Sequence, residues 1–366
     1  MLLILFKKII LTVFFLLLVS LLFFSFYSYN ENSFQFYNGG DKRIQCFGRF
    51  DKTHAASPKV WAPGAYIEFD FKGAFCEIEI EDELRHFVNH NYIEVVIDDG
   101  IPKRIKLSGK FNRINIGENL SKGTHHVLIC KNTESSIGYI KFLGVRCAKL
   151  MPSKKRNSKY FEFIGDSITC GNGSDSSQIK FNSGTWYDYH NAYLSYGAIL
   201  ARELDAEYSL SAISGIGLEN SCCDIDYTMP DVYDRIAFDK NHEKWNSNNY
   251  PKPNIVFITL GQNDGLKNEE AYEKKYLEFL RNLRSYYKKS TIICCTSPMA
   301  SEKFKLQMKN SIEKVVNYRR QNGDKKIFAF VYNGTYNSGY DKHPTIQQHE
   351  LIKRELHAFL VEKKLI

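Results

Sequence analysis

Between Met151 and Lys159 the periodicity of the chain changes, and that change divides it into two differently built parts. Before it, apolar residues recur at every second position; after it, short apolar runs alternate with stretches whose apolar residues are three and four apart. Period two settles as a strand with one buried face, whereas the longer spacing settles as a helix. In the first part Ile67, Phe69 and Phe71 alternate with Glu68, Asp70 and Lys72, and Cys76, Ile78 and Ile80 alternate with Glu77, Glu79 and Glu81. Tyr92–Ile97, Arg104–Leu107, Arg113–Ile116, His125–Lys131 and Ile140–Val145 read as further strands separated by turn residues such as Asp98-Asp99-Gly100. Seven or so short strands predict a jelly-roll-like β-sandwich over residues 42–150, after a polar spacer from Asn30 to about Asp41. Residues 151–159 lack periodic apolar positions and read as a linker, with Lys154, Lys155 and Arg156 forming a solvated hinge.

From Tyr160 to Ile366 strands and helices alternate. Strands are predicted at Tyr160–Ile164, Glu207–Ser211, Ile255–Leu260, Thr291–Cys295 and Ile327–Val331, and helices near Asn191–Leu204, Glu269–Tyr287, Glu302–Gln321 and Thr345–Glu362. This order implies an α/β fold, a parallel sheet covered by helices on both faces, and such sheets bind ligands at the carboxyl ends of their strands. The polar loops 171–185 and 241–254 are long enough to act as lids at that edge.

The N-terminus is a third texture. Ile9–Tyr29 carries no charge and follows Lys7 and Lys8. Twenty-one such residues suffice for a bilayer core of about 30 Å, exceed the usual apolar run of a signal peptide, and lack evident small residues at cleavage spacing. Residues 1–30 therefore read as a signal anchor, with a cleavable signal peptide as the alternative, and the two lysines send the remainder across the membrane. The formal charge of +8 does not indicate a nucleic-acid partner, since two charges are those lysines and the rest are spread along the chain with no basic stripe. Nine cysteines in no regular pattern beyond Cys222-Cys223 and Cys294-Cys295 suggest no disulfide framework. With no C-x-x-C and no H-E-x-x-H, neither a metal nor another cofactor is expected.

The residues that carry chemistry follow the predicted strands. The first strand runs into Gly165-Asp166-Ser167, where a serine at a strand-to-helix turn can present both its hydroxyl and its N–H to a substrate, or can simply cap the helix. Ser214-Gly215-Ile216-Gly217 follows the second strand, and a residue without Cβ permits close approach of backbone to ligand. Gly261-Gln262-Asn263-Asp264 follows the third; the Asn263 amide is a candidate oxyanion donor, or else an Asx turn. Tyr340-Asp341-Lys342-His343-Pro344 precedes the last helix and places an acid two residues before a histidine able to act as general base.

In order and placement these four blocks resemble the SGNH hydrolases, the GDS-type esterases and lipases, over residues 160–366. The two-residue spacing of Asp341 and His343, the stretches Phe163–Gly171, Tyr193–Arg202, Met229–Arg235 and His125–Glu134, and the preceding β region are similar to carbohydrate esterase family two, the acetylxylan-esterase-like group, over residues 43–366. The resemblance implies Ser167 as nucleophile, His343 as base, Asp341 as its partner, and an oxyanion hole of the Ser167 and Gly215 N–H groups and the Asn263 amide. In some members of that group a backbone carbonyl replaces the aspartate, which leaves both roles open for Asp341. The implied activity is removal of O-acetyl groups from xylan- or glucomannan-type polysaccharides or oligosaccharides. A GDS-type lipase or lysophospholipase, and a tethered carbohydrate-binding protein with a relic hydrolase domain, are the alternatives. Trp186, Tyr187 and Trp245, with Tyr189 beside them, are candidate sugar-stacking residues in or next to the polar loops, although core packing is the commoner fate of such side chains.

Overall fold

The computed structural model describes residues 12–20 and 34–366. The apolar run Ile9–Tyr29 therefore lies largely outside the described residues; its central part, 12–20, is helical, and among the described residues no helix is long and apolar enough to cross a membrane.

Between residues 35 and 150 the described chain forms strands β1 (Gln35–Asn38), β2 (Gln45–Phe47), β3 (Lys59–Val60), β4 (Tyr66–Asp82), β5 (Tyr92–Ile97), β6 (Lys103–Lys106), β7 (Phe111–Gly117), β8 (Thr124–Lys131) and β9 (Ile140–Leu150). All pair antiparallel. The two alternating runs seen in the sequence are one 17-residue strand, β4. Its first half pairs with β2 and β8, its second half with β7 and β9, and the ladder with β9 shifts register between Lys72 and Cys76. Gly73, at φ +125°, lies at this shift, where a glycine permits a bend in the strand within one nine-stranded sheet. The shift explains why the buried positions change from odd (Ile67, Phe69, Phe71) to even (Cys76, Ile78, Ile80) while all six enter one core. The stretch read as a polar spacer contains β1, hydrogen-bonded to β9 through Asn38 and Gly144 at its far end. Four mostly exposed residues are too few to display a period.

The linker is less free than a solvated hinge. Arg156 pairs with Glu207 at 2.6 Å and its guanidinium lies 4.5 Å over the Phe47 ring, so it ties the two parts together.

Strands β10 (Tyr160–Gly165), β11 (Glu207–Ala212), β12 (Ile255–Thr259), β13 (Thr291–Cys295) and β14 (Ile327–Phe330) form a parallel sheet in the order β11-β10-β12-β13-β14. Ile164, Val256, Ile258 and Ile292 face helices Glu269–Tyr286 and Glu302–Gln321; Phe161, Phe163, Phe257 and Ile293 face helices Tyr196–Glu203 and Ile346–Glu362. The helix expected from Asn191 begins only at Tyr196, because Ser195 is extended and a single 3-10 turn precedes it. The N-terminal β domain packs at the β11 edge of the sheet: beside the second face Tyr66 stacks on Tyr208 at 4.8 Å between ring centres, and on the opposite face a buried ion pair joins Arg49 to Glu162, in the middle of β10, at 3.2 Å.

Candidate active site

Strand order alone brings three of the four blocks together. β10 lies between β11 and β12, so the loop carrying Ser167 is flanked by the loop carrying Gly215 on one side and that carrying Asn263 on the other. Ser167 opens a four-residue helix, but the cap is Asp166, whose carboxylate accepts the Ile168 N–H at 3.0 Å. The serine hydroxyl is thereby left for other work. It lies 2.9 Å from Nε2 of His343.

His343 reaches the serine from the far end of the chain through a turn that the nucleophile's own loop holds. The Tyr340 N–H donates to the Gly173 carbonyl at 2.9 Å, and the Ile346 N–H to that of Ser174 at 3.2 Å. Gly173 has φ +66°, and a Cβ there would stand 2.5 Å from the Tyr340 carbonyl oxygen and 2.9 Å from the His343 Cβ. The ring of Tyr189, fully buried, sits 4.6 Å from that of Tyr340 and supports the turn from beneath.

Nδ1 of His343 faces two main-chain carbonyls, Tyr340 O at 3.2 Å and Asp341 O at 3.1 Å. Carbonyls only accept, so Nδ1 carries the proton and Nε2 presents its lone pair to the serine hydroxyl. The carboxylate of Asp341 is exposed and makes no hydrogen bond to the ring, which corrects the expected Asp–His pairing: with a two-residue spacing the backbone of the turn, not its side chain, reaches the imidazole. Burial lowers the His343 pKa from its ordinary value, opposed by the Asp341 charge, the two carbonyl hydrogen bonds and the Glu134 charge.

The oxyanion side is built from interlocked loops. Gly215 adopts φ +81°, and its carbonyl accepts the Cys222 N–H at 2.8 Å. Among the described residues neither the Ser167 nor the Gly215 N–H donates to another loop or turn carbonyl, which leaves both to face a ligand. The Asn263 amide donates to Ile216 O at 2.8 Å, while its approach to Asp166 Oδ2, at 3.4 Å, is long for a hydrogen bond and leaves one amide hydrogen to give. Asp264 is an organiser: its buried carboxylate collects the N–H groups of Leu218, Glu219 and Asn220 at 2.6 to 3.1 Å, pinning the Gly215 loop to the Asn263 loop. Asp166, buried and near Asp264, has its pKa pushed up to about 7. Cys222 and Cys223, on the Gly215 loop, are joined by a disulfide, and the other seven cysteines are free.

The aromatic candidates separate. Trp186 keeps a 37% exposed surface and meets His190 edge-on at 4.8 Å. Tyr187 is buried with Tyr92 and Ile137, and its hydroxyl donates to Val88 O, so no face is open to a sugar. Trp245 covers the guanidinium of Arg49 at 3.9 Å and lines a cavity of about 850 Å³ whose walls include none of Ser167, Gly215, Asn263 or His343. For Tyr187 packing prevails over ligand stacking; Trp245, half-buried, stands on a cavity apart from the serine and histidine. The residues that sequence reading did not single out are Gly173, whose turn gives no local sign of the His343 segment, and Glu134, considered below.

Residues 46–153 match the family model Carbohydrate esterase 2 N-terminal, and residues 161–356 match GDSL-like Lipase/Acylhydrolase. The chain is 29% identical over 328 residues to Cellulase/esterase CelE of Acetivibrio thermocellus, covering 86% of this chain but 39% of that longer protein. It is 26% identical over 325 residues to an acetylxylan esterase / glucomannan deacetylase of Cellvibrio japonicus, covering 86% of this chain and 87% of that one. The solved structure of a family two carbohydrate esterase from Clostridium thermocellum in complex with cellohexaose superposes with a TM-score of 0.79 at 28% identity, over 87% of this chain and 98% of the other. The serine, histidine and oxyanion loops thus stand on a shared framework, and the chain belongs to the GDSL-like lipase/acylhydrolase family, in the family-two carbohydrate esterase arrangement of an acylhydrolase domain behind a carbohydrate esterase 2 N-terminal domain.

Proposed function

We propose that this protein is a serine esterase that removes O-acetyl groups from xylan- or glucomannan-type polysaccharides or oligosaccharides. The observation that carries the reading is the 2.9 Å approach of His343 Nε2 to Ser167 Oγ, with Nδ1 committed to carbonyls. Nε2 accepts the serine proton as Oγ bonds to the acetyl carbon, and the carbonyl electron pair moves onto oxygen facing the Ser167 and Gly215 N–H groups and the Asn263 amide. The tetrahedral intermediate collapses by breaking the bond to the sugar oxygen, which takes the proton from the imidazolium. Water, deprotonated by the same nitrogen, then cleaves the acetyl-serine and releases acetate.

The substrate class is supported by the relatives named for acetylxylan and glucomannan and by the exposed Trp186, whose ring face suits the C–H face of a sugar. Export belongs to the same reading: Lys7, Lys8 and the uncharged run Ile9–Tyr29 support an N-terminal anchor with the catalytic part outside the cytoplasm, where such polymers occur. The test is acetate release from acetylated xylan and glucomannan beside fatty-acid release from a phospholipid. Acetate release that disappears in Ser167→Ala is expected; fatty-acid release alone would favour a lipase, and persistence in Ser167→Ala would exclude the nucleophile.

A further inference from the structure

One buried carboxylate next to the site takes no part in the chemistry above. Glu134 belongs to the N-terminal β domain, three residues beyond β8, and is 1% exposed. Its Oε2 accepts both the N–H of Ser214, at 2.9 Å, and the Ser214 hydroxyl; its Oε1 accepts the hydroxyl of Ser136. Ser214 immediately precedes Gly215. Its hydroxyl oxygen also accepts from Asn172 Nδ2 at 3.2 Å, and the Asn172 N–H donates to the Ser167 carbonyl at 3.0 Å. A continuous hydrogen-bonded path therefore runs from the β domain through the residue before the oxyanion glycine to the nucleophile.

A buried carboxylate is tolerated only where donors satisfy it, and those around Glu134 come from the Ser214 loop, from its own turn and from the Cys170 thiol on the helix that Ser167 opens. Beneath it the fully buried ammonium of Lys131 donates to the carbonyls of Thr133 at 2.6 Å and Glu134 at 3.1 Å, fixing the main chain that carries the carboxylate. The anchor is thus rigid from below, and it grips the oxyanion loop at the residue whose displacement would swing the Gly215 N–H.

We propose that Glu134 is a positioning residue for the oxyanion site, so that the N-terminal β domain completes the active centre of the hydrolase domain. The inference rests on the esterase reading above, and its test separates the two. In the full chain, turnover of 4-nitrophenyl acetate by the unaltered protein tests the esterase reading. The rate at which a fluorophosphonate labels Ser167, followed by intact mass, tests Glu134, because phosphonylation needs an oriented oxyanion site whatever the natural substrate. Glu134→Ala is expected to lower the labelling rate, and kcat on the aryl acetate, on the order of 10²-fold, the scale of losing one oxyanion donor, with KM changed less than about threefold. Glu134→Gln, which keeps an oxygen for Ser214 and offers its NH₂ to the Ser136 hydroxyl, is expected to recover to within about fivefold. Ser214→Ala, which loses the hydroxyl bond to Glu134 and keeps the N–H bond, should lose part of the rate, and the double variant should be no worse than Glu134→Ala alone, since Glu134→Ala already removes both. Labelling of Glu134→Ala within about threefold of the unaltered protein, a loss confined to KM, or additive losses would overturn the proposal. Should Glu134→Ala not fold, Ser214→Ala decides, and an unaltered labelling rate there overturns it equally.

Discussion

His343 is held by the main-chain oxygen of Asp341, 3.1 Å from Nδ1, and not by the Asp341 carboxylate. Removing the carboxylate therefore leaves the ring's tautomer and aim intact. Asp341→Asn is expected to lower kcat on an aryl acetate by less than about fivefold, whereas loss of an orienting triad aspartate costs about 10⁴-fold. A loss of three orders of magnitude would return the carboxylate to the mechanism.

The same geometry sets the pH dependence. Burial lowers the His343 pKa, so the imidazole stays neutral, and competent as a base, to more acidic pH than an exposed histidine. The acidic limb of kcat/KM should have its midpoint below about 6.5. The Asp341 charge opposes this lowering, so Asp341→Asn should move the limb further down in pH. A limb that moves up would assign the titration to another group.

Asn263 gives one amide hydrogen to Ile216 O and makes only a long contact, 3.4 Å, to Asp166; in the proposed mechanism that second hydrogen goes to the oxyanion. Asn263→Ala should fold and lose about 10²–10³ in kcat with little change in KM, as measured by steady-state kinetics beside a thermal melt. An unchanged kcat would remove it from the mechanism.

Gly173 separates the nucleophile's loop from the His343 turn with no room for a side chain. Gly173→Ala must push that turn away, and a displacement of about 1 Å at a reacting group costs on the order of 10²-fold. Activity should fall at least about tenfold while circular dichroism stays that of the unaltered protein. Full activity would show that the turn can yield without moving Nε2.

Arg49 is a matter of stability. Its guanidinium is shared among Glu162, the Tyr233 and Arg235 carbonyls and the ring of Trp245. Arg49→Leu leaves Glu162 buried without its cation, and such losses run to about 3–5 kcal/mol. Chemical denaturation is the measurement. A loss under about 1 kcal/mol would mean that Ser211 and Tyr233, which also donate to Glu162, suffice alone.

The parallel sheet was legible because β10 to β14 are apolar runs between strongly periodic helices; the helix Glu302–Gln321 has the ends its spacing predicts. Ser167, Gly215, Asn263 and His343 were legible because each follows a strand or precedes a helix, where local sequence announces the turn. β1, β2 and β3, of four, three and two residues, are too short to carry a period. Glu134 meets Ser214 across 80 residues of chain, Tyr187 owes its burial to Tyr92 and Ile137 in the other domain, and Trp245 is drawn onto the guanidinium of Arg49 there. Contacts of that range leave no mark on local spacing, and they decide which aromatic is a surface and which is core.

The central place of β4 in the nine-stranded sheet has a kinetic consequence. This one strand pairs with residues from Gln45 to Leu150, so the sheet does not close until distant parts of the β domain have met. Pairing of that range folds slowly, and a strand shared by four partner strands couples their opening. With Glu134 three residues beyond β8 of this unit, turnover becomes a reporter of β-domain unfolding: on slow heating, activity should vanish with the first loss of the β domain, even while the parallel sheet that carries Ser167 still stands.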